Sequence, residues 1–389
     1  MKRMWATTAG ITLGAVTATA AVALAMVLRT PPALVEVPAA PPRGKALIEV
    51  AVLLDTSGSM QGLIHQARTK LWSMINRLAS AERDGTVPHL RVALYEFGRG
   101  TLSPDKGFMR QILPLTEDLD RISSEMFTLN TGGSNEYFGQ VIQQAVDELV
   151  WSEGGHFKTI FIAGNEPFNQ GPVDFTKACA AALARGIVVN TIHCGNEREA
   201  ISGMWKTAAH LAGGQAMNID QDAASVAIAT PVDGRIEELS RRLNETYIAY
   251  GARAAEGKSR QVAQDANARQ GAAGGVADRA YFKTCEQYSN DWDLVDAIKD
   301  DGAKLGQIGE ADLPQEVRSL AVEAREAYVL KKASDRAVIQ AEIRTLSAER
   351  DRYVASEQTK NAPGAVTFDL AVNNVLAKQL EEHGYAVKK

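Results

Sequence analysis

Five consecutive residues, Asp55-Thr56-Ser57-Gly58-Ser59, gather one carboxylate and two hydroxyls at alternate positions. Hard divalent cations such as Mg²⁺ take oxygen ligands in near-octahedral geometry and keep waters or partner oxygens in the remaining positions. Asp55, Ser57 and Ser59 can all be directed at one such point. The run ahead of them, Ile48-Glu49-Val50-Ala51-Val52-Leu53-Leu54, is almost wholly apolar and reads as a buried parallel strand. Behind them Leu63, Ala67, Leu71, Met74, Ile75 and Leu78 recur at spacings of three and four, the pattern of a helix with one apolar face. The loop therefore sits at the carboxyl end of a strand, where open α/β sheets bind their ligands. Taken alone, the same residues also suit a turn whose serines cap the next helix, so the surrounding elements decide between the two.

Those elements alternate. Leu90 to Phe97 reads as a second strand, Gln111 to Leu115 as a short edge strand, and Asp118 to Phe127 as a small helix. Val141, Ile142, Ala145, Val146 and Leu149 form the face of another helix. Lys158 to Ala163 is a buried strand, Phe175 to Ala184 a helix with Asp174 as its N-cap, and Ile187 to Cys194 a strand. Ile201 to Leu211 reads as a helix and Gln215 to Ile219 as a last short strand. This order predicts an α/β fold, a doubly wound and mostly parallel sheet flanked by helices. Two further loops fall near the first: Gly132-Gly133-Ser134-Asn135-Glu136 and Gly164-Asn165-Glu166-Pro167.

Asp-x-Ser-x-Ser after a strand resembles the metal-ion-dependent adhesion site of von Willebrand factor type A domains, and the resemblance covers roughly Ala46 to Ile219. It implies a Rossmann-like fold, a bound divalent cation (Mg²⁺, or Mn²⁺ or Ca²⁺) and a protein ligand that offers an acidic side chain. The family's second loop carries a Thr after a Gly pair. Here Ser134 follows Gly132-Gly133 and keeps the hydroxyl, with Thr131 as second choice. The third loop usually carries an Asp, but its position is matched by Gly164, so Asn165 or Glu166 is left to supply an oxygen, directly or through water. Glu166 has the charge. The expected metal ligands are thus Asp55, Ser57, Ser59, Ser134 and Glu166. With Asp55 as the one certain carboxylate, the ion keeps net positive charge, and its open position favours an acid from the partner. The segments Ala163 to Phe168 and Leu243 to Tyr250 resemble those of a group of exported bacterial proteins with such a domain.

The remaining sequence narrows the alternatives. With 389 residues there is room for two domains, or for one with a long appendage. The net charge of −5 offers no basic footprint, so no nucleic acid partner is expected. There is no P-loop and no Gly-x-Ser-x-Gly elbow. A hydrolase would need Ser57 or Ser59 as nucleophile with His193 as the least implausible base, and a binding module rather than an enzyme is the expectation. The six His show no metal-ligand spacing. Of the three Cys, Cys179 and Cys194 are expected buried and unpaired, with Cys285 left as a partner for either.

Lys2 and Arg3 precede an uncharged stretch, Met4 to Leu28, which as a helix spans ~37 Å, enough to cross a bilayer. Residues 1–28 are read as a single-pass membrane anchor, or alternatively as a signal peptide cut after Ala23-Leu24-Ala25 with secretion of the rest. Either way the bulk lies outside the cytoplasm. Residues 29–45, rich in proline, form an extended spacer. The α/β domain is assigned to 46–230 and an α-helical extension to 231–389. In that extension Ile236 to Tyr250 reads as a helix whose Tyr247 and Tyr250 dock onto the α/β domain. Gly271 to Gly275 is a hinge, and a long helix runs from about Pro314 to Gln358 on the stripe Leu320, Ala324, Ala327, Leu330, Ile339, Ile343 and Leu346. A last helix covers Thr367 to His383. A helical hairpin or coiled coil able to self-associate is the natural reading. It leaves a second functional class open: a scaffold that acts through these helices, with a degenerate metal loop.

Overall fold

A computed structural model describes residues 46–219, 228–270, 274–299, 302–361 and 368–387. The expected anchor, the proline-rich spacer and most of the glycine hinge lie outside the described residues. Among those described, no helix is long and apolar enough to cross a membrane.

The sheet is built on β1 (Leu47–Asp55), which α1 (Gln61–Ala79) follows. After the two-residue β2 (Ala81–Glu82) come β3 (His89–Phe97), β4 (Met109–Thr116), α2 (Leu119–Thr128) and α3 (Phe138–Glu148). Next are β5 (Phe157–Gly164), α4 (Phe175–Ala184), β6 (Val188–Cys194), α5 (Glu197–Ser202), α6 (Trp205–Leu211) and β7 (Ala216–Ile219). The six long strands lie in the order β4-β3-β1-β5-β6-β7, all parallel except β4, which runs antiparallel at one edge. The chain winds outward from β1 to one side, then crosses back to start the other half at β5. The switch point of this doubly wound sheet therefore lies between β1 and β5.

Strand alternation sorts the core. Ile48, Val50, Val52 and Leu54 of β1 face the helices α1 and α2, while Ala51 and Leu53 face α3, α4 and α6. Continuing that alternation, Asp55 falls on the α3 side. The helix expected over Ile201 to Leu211 is two pieces, because the chain breaks at Gly203 and at Met204, whose φ of 67° is left-handed. Asp174 caps α4 as expected, accepting from the Thr176 backbone N–H at 2.9 Å. Cys179, Cys194 and Cys285 are all free thiols.

The C-terminal half is helical: α7 (Asp233–Asn244), α8 (Ala254–Gln270), α9 (Gly275–Phe282), α10 (Leu294–Ala297), α11 (Gln315–Arg318), α12 (Val322–Asn361) and α13 (Phe368–Glu382), closed by β8 (Ala386–Val387). Three expectations are corrected. The first helix ends at Asn244; Ile248 onward runs extended, with Ile248 N–H on the Asp293 carboxylate at 2.7 Å. Tyr247 does not dock onto the α/β domain. It packs inside the helical part, beside Trp292 and 3.9 Å from the Arg336 guanidinium. The long helix starts only at Val322, and its buried stripe is Val329, Arg336, Ile339, Ile343, Ser347 and Arg350, while Leu330 is 53% exposed. Arg336 and Arg350 hold positions on this stripe by pairing with Asp293, Asp296 and Asp233. An apolar count misses them, so it sets the stripe wrongly in the first half of the helix.

These helices form no free-standing hairpin. One buried ionic cluster joins them to the α/β part: Arg279 of α9 grips Asp120 of α2 with both terminal nitrogens, reaches Asp265 of α8 at 3.1 Å, and lies 4.4 Å from the Trp72 ring of α1. Lys283 meets the other oxygen of Asp265 at 2.8 Å. Burial alone would push the Asp265 carboxyl up; Lys283 and Arg279 more than offset it and hold it at about 2. Finally α13 returns to the sheet. Val372, Val375, Leu376, Leu380 and Tyr385 join the α1-side core. Asn190 of β6 and Gln379 exchange two amide hydrogen bonds at 2.8 and 2.9 Å. The Tyr385 hydroxyl donates to the Leu47 carbonyl at 2.8 Å, and β8 pairs with β2.

Candidate functional site

Asp55 is the last residue of β1 and is fully buried. The chain then turns sharply: Thr56 N–H bonds the Phe97 carbonyl at 2.8 Å, and the Ser57 backbone N–H donates to Asp55 Oδ1 at 2.7 Å. Thr56 turns away from the rim, its hydroxyl donating to the Phe97 carbonyl at 3.0 Å and the buried Glu96 carboxylate at 3.3 Å. Ser57 and Ser59 come together, their hydroxyl oxygens 3.3 Å apart. Across the switch point, Asn165 Nδ2 donates to Ser59 Oγ at 3.1 Å. Asp55, Ser57 and Ser59 thus share one turn, and Asp55 Oδ2 is a buried oxygen with no hydrogen-bond partner.

The other two expected ligands stand differently. Ser134 is exposed, and Glu166 is half-buried, accepting from Gln170 Nε2 at 3.1 Å while its backbone carbonyl accepts from Trp205 Nε1 at 3.0 Å. Reasoning from sequence missed Glu136, the last residue of the same Gly-Gly-Ser-Asn-Glu loop, which is 3% exposed. Its signal was a carboxylate two residues past the hydroxyl that the resemblance favoured. The loop is pinned by backbone: Gly132 N–H to the Thr56 carbonyl, Gly58 N–H to the Gly133 carbonyl and Gly100 N–H to the Gly132 carbonyl, at 2.9 to 3.0 Å. Only glycine fits at 133, where φ is +100° and a Cβ would lie 2.0 Å from Gly100 N.

Gly164 sits where the resemblance expects a carboxylate, at the tip of β5. A Cβ here would lie 2.9 Å from Asp55 Oδ2 and 2.9 Å from the Phe138 ring. That ring cannot yield readily. It is wedged among Phe97, Phe168 and Trp205 at centroid distances of 4.8 to 5.2 Å, and this cluster forms the apolar floor of the rim. His193, one register position from Gly164 on β6, is 1% exposed and pairs through Nδ1 with Asn218 at 2.7 Å.

The electrostatics follow from burial. Asp55 is pushed up to about 8, first by burial and then by the charges of Glu136 and Glu166, with the Ser57 hydrogen bonds pulling the other way. Glu136 is raised too, chiefly by burial, with Glu166 adding to it. The resemblance of the Asp-x-Ser-x-Ser loop implies a divalent cation, and the residues fit one in donor chemistry: a carboxylate oxygen lacking a partner, two adjacent hydroxyls and further carboxylates at the edge, all hard oxygen donors. Among the described residues no three His, Cys, Asp or Glu side chains converge as a metal cluster, so the hydroxyls are indispensable to any such site.

Neither a family model nor a curated protein sequence matches the chain. Solved structures similar to it include the conserved hypothetical protein BatB from Bacteroides thetaiotaomicron (19% identity, 44% of this chain and 90% of that one, TM-score 0.34). An aerotolerance-related membrane protein from Bacteroides fragilis is similar at 17% identity (44% and 92%, TM-score 0.32). Proximal thread matrix protein 1 from the mussel byssus, with a zinc-occupied MIDAS motif, is similar at 14% identity (46% and 43%, TM-score 0.34). With TM-scores of 0.32 to 0.34 these likenesses assign nothing to this chain. Within this chain, the strand order with its reversed edge strand, and the Asp-Thr-Ser-Gly-Ser loop over the switch point, give residues 46–219 the fold of a von Willebrand factor type A domain.

Proposed function

We propose that this is a binding protein, not an enzyme, whose von Willebrand A domain recruits a protein partner through a divalent cation, Mg²⁺ or in its place Mn²⁺ or Ca²⁺. The ion is held by Asp55, Ser57 and Ser59, with Ser134 and Glu166 on the two flanking loops as the remaining expected ligands. An acidic side chain of the partner completes the shell. The observation that carries the reading is the orphaned Asp55 Oδ2, buried beside two hydroxyls at the sheet's switch point. A buried carboxylate oxygen without a donor is costly, and a cation relieves it. Against hydrolysis, no serine hydroxyl meets the His193 Nε2, which is buried and without a hydrogen-bond partner. In this reading residues 1–28 hold the protein in the membrane, or are cleaved on export, 29–45 are a spacer, and the body works outside the cytoplasm.

Calorimetric titration with MnCl₂ tests the site. The native chain is expected to bind and Asp55→Ala to lose binding altogether; unchanged binding in that variant would remove Asp55 from the site. Partner capture with and without EDTA tests the function, with loss on chelation expected. Capture that ignores EDTA and maps to residues 231–389 would support instead a scaffold acting through its helices, a reading favoured by the exposed Leu330 and Val338 of α12.

A further inference from the structure

We infer that Glu136 is the second charged ligand of this site, in the role that position 164 cannot fill. The inference rests on the cation-binding reading above and assigns a residue that its expected ligand set lacks.

Three features carry it. First, a side chain at 164 is excluded by the Phe138 ring and Asp55 Oδ2, each 2.9 Å from where its Cβ would lie. Position 164 itself therefore offers no carboxylate, and one must come from a neighbouring position. Second, Glu136 and Asp55 border the same glycine. A Cβ on Gly98, whose φ is +86°, would lie 2.6 Å from Asp55 Oδ1 and 3.2 Å from Glu136 Cγ. Removing that one carbon leaves room for the two acids to approach each other over bare backbone. Ser57 gives its N–H to Asp55 Oδ1 at 2.7 Å. Third, among the described residues no basic side chain pairs with either acid. The charged groups acting on Asp55 are Glu136 and Glu166, while Arg99 and Arg110 pair with Glu96. Two buried acids side by side, one with an orphaned oxygen, are costly unless a cation sits between them.

The consequence is a site with two full negative charges inside its wall. It balances a divalent ion before any partner arrives, so it holds metal more tightly than a site with Asp55 alone.

The test is a MnCl₂ titration of the full chain and two variants, Glu136→Gln and Ser134→Ala, followed by the electron spin resonance of free Mn²⁺. Glu136→Gln is nearly isosteric and is expected to weaken binding by more than about tenfold. Ser134→Ala, which removes one neutral donor of the proposed set, is expected to weaken it by less than Glu136→Gln does. Glu136→Gln binding within threefold of native, or Ser134→Ala losing as much as Glu136→Gln, overturns the inference while leaving the cation site standing. A native chain that takes up no Mn²⁺ overturns both. Should Glu136→Gln fail to fold, the anomalous scattering of Mn²⁺ in crystals of the native chain decides instead. A Glu136 oxygen bound to the metal supports the inference, and water alone on that side refutes it.

Discussion

A buried carboxyl that titrates near pH 8 makes a protein less stable as pH rises. Asp55 has an ordinary value of 3.8 and is pushed up to about 8 in the fold. Between these values the folded chain binds more protons than the unfolded one, so stability falls with pH, by at most about 1.4 kcal/mol per unit for this group. Thermal unfolding in EDTA should show a midpoint that drops from pH 5 to pH 8, and Asp55→Asn should flatten the drop. A divalent cation replaces the proton, so added Mg²⁺ should raise the midpoint more at pH 8 than at pH 6. At Gly164 the expectation runs against the family pattern: Gly164→Asp should cost about 1–3 kcal/mol through overpacking against Phe138 and gain no metal affinity. Urea denaturation and a Mn²⁺ titration of that variant check both halves. At this scale the sequence made Asp55, Ser57 and Ser59 legible because the three share one turn. Glu136 was illegible because its inward turn depends on Gly98, 38 residues earlier in the chain, which no local pattern reports.

Helices and strands were legible where their periodicity was pure. The strands at 48–54, 158–163 and 187–194 are mostly apolar and almost wholly buried, and they stand where they were expected, within a residue or two. The helix α12 was found, but not its buried face, because Arg336 and Arg350 lie inward on salt bridges that pattern counting treats as solvent positions. Nor could spacing show that α13 belongs to the sheet. Its apolar side meets α1, and its Gln379 meets Asn190 from 189 residues away. Each of its buried apolar side chains is worth on the order of 1.5–3 kcal/mol. A chain ending at residue 361 is therefore expected to lose most of the stability of the α/β part itself. Circular dichroism melts of the shortened and full chains test this; equal midpoints would show that α13 is an accessory.

The molecule as a whole should unfold in one step. Ala268 and Phe282 of the helical part lie in the same core as α1 and the sheet, and the Asp120–Arg279 pair crosses from one part to the other while buried. A boundary drawn at residue 230 thus divides the sequence without dividing the core. Scanning calorimetry should give a single transition, and Arg279→Ala, which strands Asp120 and Asp265, should cost about 3–5 kcal/mol. Two separated transitions would mean that the parts fold independently. The hydrogen bond from Tyr385 to Leu47 has a geometric sequel. It brings the chain's entry into the domain and the close of its last short strand to one pole, while the nine residues of β1, about 30 Å of strand, carry the acidic rim to the opposite pole. An attachment at residue 46 or 387 therefore lies a strand's length from the rim. Dyes or surface-coupling handles placed there should leave the docking of a partner undisturbed.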